Sequence, residues 1–106
     1  MIADADYFPE VLQVVPLERH EILVYFDDGS IHRFDVEPLL DRPVFQPLRD
    51  LPLFRSTLTV IHGTVAWDLR GDRDESACVD LDPLVLYRET SEVEEPAWLR
   101  EPARLP

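Results

Sequence analysis

Lysine and asparagine are missing altogether from this 106-residue chain, and all ten of its basic residues are arginine. Both missing residues have AT-rich codons, so the pair of absences marks a GC-rich coding sequence. Against those ten arginines stand 22 aspartates and glutamates, for a formal net charge of -12. Nucleic-acid binders gain affinity by releasing counterions to clustered cations, and a chain this acidic is not expected to bind nucleic acid directly. Cys78 is the single cysteine. No internal disulfide can form, which suits a reducing cytoplasm. Flanked by Ala77 and Val79, with no cation beside it to lower a thiol pKa, Cys78 reads as a small buried hydrophobe. Long apolar runs are also missing. The longest, Ile22 to Phe26, is far short of the roughly 20 residues that cross a bilayer. The first residues lack the basic-then-apolar order of a secretory signal, so a soluble cytoplasmic protein without membrane contact is expected.

What is present suits one compact domain, since 45% of the residues are hydrophobic and a chain of this length can bury a continuous core. Residues 1-9 show no period and read as an arm, 10-88 as a single α+β domain, and 89-106 as an acidic, proline-bearing tail. Within the domain, Val11 to Leu17 is a first strand that Pro16 places at an edge or ends. Glu21 to Phe26 is the clearest strand. Asp27-Asp28-Gly29-Ser30 turns it, with Gly29 free to adopt a positive φ, and Ile31 to Val36 returns antiparallel. Ile31, Arg33 and Asp35 fall on one face of that return strand and His32, Phe34 and Val36 on the other.

Prolines at 38, 43, 47 and 52 break the following stretch into short helical turns. One covers Pro38-Leu39-Leu40, and another spans Asp50 to Arg55 with Asp50 as cap and Pro52 in the first turn. Phe45, Leu48, Leu53 and Phe54 are expected to cover the sheet. Leu58 to Ile61 and Val65 to Trp67 form a second hairpin around His62-Gly63-Thr64. Leu69 to Ala77 reads as a loop. Asp82 caps a terminal helix begun by Pro83, with Leu84 and Tyr87 turned inward. The expected architecture is two-layer α+β, with one antiparallel sheet of about five strands, two hairpins plus an N-terminal strand, covered by short helices.

Taken in order, Asp27-Asp28-Gly29 with Phe34-Asp35, Pro38-Leu39-Leu40, Pro43-Val44-Phe45, Leu48-Arg49-Asp50, Phe54, Gly63-Thr64-Val65-Ala66-Trp67-Asp68, Asp82-Pro83 and Leu86-Tyr87 resemble the domain-of-unknown-function 2442 family over roughly Val11 to Arg88. The resemblance implies a small bacterial protein with a two-layer α+β fold. It also implies a gene that often lies beside that of a second small protein, in what look like toxin–antitoxin pairs. Some relatives carry a helix-turn-helix domain after this module. Here an acidic tail follows instead, so DNA binding does not carry over, and the family supplies no catalytic residue to transfer.

No catalytic constellation stands out from the residues themselves. Asp68, Asp72, Asp74, Glu75, Asp80 and Asp82 are hard-cation ligand types, yet Asp72-Arg73-Asp74-Glu75 breaks the spacing of a calcium loop and a solvated loop is the plainer reading. His20, His32 and His62 lack zinc-motif spacing, and neither Ser56 nor Ser76 sits in a nucleophile elbow. Arg70-Gly71-Asp72 reads as a glycine turn. No catalytic, cofactor or metal residue is therefore assigned. The candidate partner-contact residues are Arg49, Trp67, Asp68, Trp98 and Leu99. Trp98-Leu99, an apolar pair within the acidic tail, reads as a docking element, as a pair that folds back onto its own domain, or as part of a tail exchanged within a dimer.

Function is expected to lie in contact rather than chemistry. The first reading is a non-enzymatic binding or regulatory module for a protein encoded nearby, antitoxin-like in a gene pair. The alternatives are a small metal-dependent enzyme using the Asp68 to Asp82 loop and a structural homo-oligomer.

Overall fold

The computed structural model describes residues 8–71 and 78–97. Strand β1 runs Val11–Pro16, β2 Glu21–Phe26 and β3 Ile31–Asp35. β2 pairs antiparallel with both neighbours. The β2–β3 turn is a three-residue loop in which Gly29 N donates to Phe26 O at 3.0 Å and Phe26 N to Ser30 O at 2.9 Å. Gly29 there takes φ 91°, a value that a side chain would strain. Two 3-10 segments follow, Glu37–Leu39 and Pro43–Arg49, then helix α1, Leu51–Thr57. Asp50 caps α1, accepting from Leu53 N, and Pro52 sits in its first turn where a missing N–H is harmless.

Strand β4, Leu58–Ile61, and β5, Thr64–Trp67, close on a two-residue turn, with Ile61 paired to Thr64. His62 at φ 51° and Gly63 at φ 73° make it the left-handed type whose twist matches the strands. Strand β6, Val79–Leu81, pairs with β5, and helix α2, Pro83–Glu89, follows. Asp82 caps α2 by accepting from Leu84 N at 2.9 Å.

The α+β class holds, but the single five-stranded sheet is corrected to two three-stranded antiparallel sheets, β1-β2-β3 and β4-β5-β6. β1 and β4 lie side by side, and Val11 N donates to Gly63 O at 2.9 Å. The ladder stops there because the pairing of β1 with β2 shifts register between Val11 and Gln13, and a bulge of this kind bends a strand away from its neighbour. The sixth strand escaped sequence reading because Val79-Asp80-Leu81 is shorter than the four residues over which alternation can be recognised.

The inner faces of both sheets meet in one core. Ile22, Val24 and Phe26 come from the first, Val65, Trp67 and Val79 from the second, and Phe45, Leu48 and Phe54 close over them. Leu53, expected with these, is only half-buried. Helix α2 buries Leu86 most deeply, while Leu84 and Tyr87, the expected inward pair, are half-buried. A period of about 3.6 residues is hard to recognise over a seven-residue helix, so the inward side chain is set by where α2 lands on β3. Cys78 is half-buried rather than fully buried.

Candidate functional site

Three polar side chains of the first sheet and its turn, Asp28, His32 and Tyr25, fasten α2 and the chain after it to that sheet. Asp28 accepts from Ser30 N at 2.8 Å, from Ser30 Oγ at 2.6 Å and from the Tyr87 hydroxyl. Burial pushes the Asp28 carboxyl up, but the Ser30 hydroxyl, Tyr87 and the Ser30 amide, with His32 nearby, outweigh it and hold the group below its ordinary 3.8.

His32 is buried between Phe26 and Tyr87, with ring centres 4.9 and 5.1 Å away. Its Nδ1 lies 2.8 Å from Thr90 Oγ1, and that hydroxyl gives its single proton to Leu86 O at 2.6 Å. Nδ1 must therefore carry the hydrogen and donate it. By the same logic His20 Nε2, 2.9 Å from Leu48 O, is protonated, because a carbonyl only accepts.

Beyond α2, Val93 N donates to Ile31 O at 2.7 Å and Glu92 bridges His32, so this part of the tail runs along the open edge of β3. Tyr25 donates to Glu95 Oε2 at 2.7 Å. Desolvation by burial first, then the hydrogen bond to Glu95 and its charge, push the Tyr25 hydroxyl up to about 12. A cavity of about 510 Å³ lies beneath this segment, lined by Leu23, Arg33, Arg55, Val93 and Pro96 among others. Its cations are engaged: Arg33 pairs with Glu21, and Arg55 donates to Leu17 O at 2.8 Å.

A different surface opens where the gap between β3 and β6 is spanned by α2. This crevice, of about 330 Å³, is floored by Phe45, Leu81 and Leu86 and walled by Phe34 and Leu39. Val85 stands at its margin, 47% exposed. Asp80, Asp82 and Glu89 occupy the rim together with Arg42. The crevice exists because β3 and β6 end their sheets without pairing to one another. Topology of that kind brings residues 34 to 45 against residues 80 to 89, and no local sequence pattern announces it.

The candidate contact residues fall elsewhere. Trp67 is fully buried, with its ring 6.2 Å from that of Phe45 and 5.4 Å from that of Phe54. It sits in the core, the more common place for a strand tryptophan, and its Nε1 finds no hydrogen-bond partner among the described residues. Asp68 is also buried and accepts from Gly71 N at 2.8 Å, which forms the turn after β5. Arg49 is half exposed but occupied, donating to Leu40 O at 3.1 Å and pairing with Asp41 at 2.9 Å. It borders a shallow depression with His20 and Glu37. Trp98 and Leu99 lie outside the described residues, as do Asp72, Asp74 and Glu75 of the acidic loop. Among the described residues no three His, Cys, Asp or Glu side chains converge as metal ligands.

Two small antiparallel sheets covered by short helices define an α+β domain, with an apolar crevice between β3 and β6 among the described residues. The chain belongs to the DUF2442 family, described as a protein of unknown function, whose pattern matches residues 11–92. That span takes in α2 and the bridge at Glu92, both part of the fold just described. A comparison with curated proteins found no match, and neither did one with solved structures. Among the described residues, no helix is long and apolar enough to cross a membrane.

Proposed function

We propose that the protein is a non-catalytic module of the cytoplasm that binds another protein, antitoxin-like, and so regulates or neutralises the product of an adjacent gene. The observation that carries this reading is the crevice between β3 and β6, where an apolar floor stays open beside Val85. A small apolar pocket with a polar rim is the kind of surface into which a partner's apolar side chain can insert. The reading is supported by the commitment of titratable groups elsewhere to holding the fold. Asp28, His20, His32 and Tyr25 each serve a structural hydrogen bond.

The alternative of a metal-dependent enzyme on the Asp68 to Asp82 loop has less support, since Asp68 and Asp82 already accept from backbone amides. A homo-oligomer joined through strand edges is disfavoured at β3, where residues 92 and 93 already lie along the edge, and is left with the three-residue edge of β6. Co-expression with the product of the adjacent gene, followed by size-exclusion chromatography, tests the proposal. Co-elution at a defined ratio is the expected result. Separate elution at micromolar concentration overturns it.

A further inference from the structure

We infer that the crevice between β3 and β6 receives one bulky apolar side chain from a partner segment whose flanking residues are basic. The inference deepens the protein-binding reading and rests on it.

The floor sets the first half of this chemistry. Phe45, Leu81 and Leu86 are buried at its base, and Phe34, Leu39 and Val85 form its walls. A volume of about 330 Å³ is at the lower bound, about 300 Å³, of sites that enclose a small ligand. It accommodates a single leucine- or phenylalanine-sized side chain with its adjoining backbone. An apolar anchor seated in a pocket and rimmed by polar groups is the arrangement that carries most binding energy in protein interfaces.

The rim sets the second half. Three carboxylates, on Asp80, Asp82 and Glu89, face one guanidinium, that of Arg42. Asp82 spends one oxygen on its cap, while Asp80 and Glu89 form no ion pair among the described residues. The field of the whole chain, with a net charge of -12, has the same sign as the rim. An acidic segment would meet like charge from both, whereas a basic one is drawn in and held in register around the apolar anchor. Arg42, also without an ion pair among the described residues, marks the one side of the crevice where a partner carboxylate or carbonyl oxygen is welcome.

The test uses the full chain and three end-blocked pentapeptides. The first has leucine between pairs of arginines, the second has serine in place of the leucine, and the third has glutamates in place of the arginines. Methyl NMR follows each titration. The first peptide is expected to shift the methyl signals of Leu39, Leu81 and Val85, and its binding is expected to weaken steeply from about 0.05 to 0.5 M salt, as screening removes the rim's attraction. The serine and glutamate peptides are each expected to bind about tenfold more weakly.

Two surface variants check the placement, Val85→Ser for the apolar wall and Asp80→Arg for the rim. Each is expected to lower affinity for the first peptide about tenfold while the circular dichroism spectrum is unchanged. Equal binding of the glutamate peptide, equal binding of the serine peptide, shifts confined to another surface, or no binding at all would each overturn the inference. Capture of the adjacent gene product separates this outcome from failure of the wider reading. If wild type and both variants capture it equally, the crevice chemistry falls and the binding module stands. If none captures it, the module reading falls.

Discussion

The first sheet is held at its periphery by side-chain hydrogen bonds, whereas the second is held by an aromatic centre and by backbone conformation. On the first, Asp28 gathers Ser30 and Tyr87, His32 donates to Thr90, and Tyr25 reaches Glu95. On the second, Trp67 sits between Phe45 and Phe54, and the β4–β5 turn depends on positive φ at His62 and Gly63. The difference teaches that similar small sheets can draw stability from different sources. Dispersion and desolvation at Trp67 respond to volume and hardly to pH. Charge-assisted hydrogen bonds at Asp28 respond to pH.

The largest expected effect comes from the aromatic centre. Trp67→Ala should destabilise the protein by about 4 kcal/mol through loss of buried surface and the cavity left behind. Trp67→Phe should cost less than half as much, because it also removes a buried indole N–H whose lack of a partner itself costs about 1–3 kcal/mol. Urea unfolding of both variants checks the pair, and equal losses would break the account of the orphaned N–H.

Next comes the turn of the same sheet. A Cβ at Gly63 would stand 2.6 Å from Glu10 Cγ, at φ 73°. Gly63→Ala is therefore expected to cost about 2 kcal/mol, from backbone strain together with displacement of Glu10. Gly29→Ala, at φ 91° with nothing within 4 Å of its Cβ, isolates the backbone share and should cost about half that. Equal costs at the two glycines would show that Glu10 yields freely.

The first sheet should behave differently. Because the Asp28 carboxyl titrates lower in the fold than its ordinary 3.8, its stabilising share is in place above about pH 4 and is lost as pH falls through the folded value. Asp28→Asn should cost about 1 kcal/mol at neutral pH, a modest figure because the group is largely solvated, and should flatten the acid limb of stability against pH. An unchanged acid limb would remove Asp28 as its source.

The smallest effect belongs to Tyr25. Its hydroxyl is raised from 10.0 to about 12, so its contribution is complete below about pH 10 and is lost as pH rises towards 12. Tyr25→Phe should cost about 0.5–1 kcal/mol overall and should speed amide exchange at Val93, whose N–H bonds Ile31 O along the edge of β3. Exchange at Val93 as slow as in the wild type would mean that the Tyr25–Glu95 bond does not hold the segment on the sheet.

Local chemistry along the chain was enough to place strands β1 to β5, the glycine turns at 29 and 63 and the caps at Asp50 and Asp82. Each of these depends on residues within a few positions of one another: β-branched runs, a φ only glycine adopts easily, a carboxylate within reach of an amide two or three residues on. Only the tertiary structure decided that the strands divide into two sheets, that three residues at Val79 form a sixth strand, that Trp67 and Asp68 are interior, and that an apolar crevice opens between β3 and β6. Those outcomes turn on a bulge early in β1 and on contacts between residues far apart in sequence, such as Tyr87 with Asp28 and Glu95 with Tyr25. Pairings of that range are chosen by how whole faces pack together, a competition no local pattern of side chains expresses.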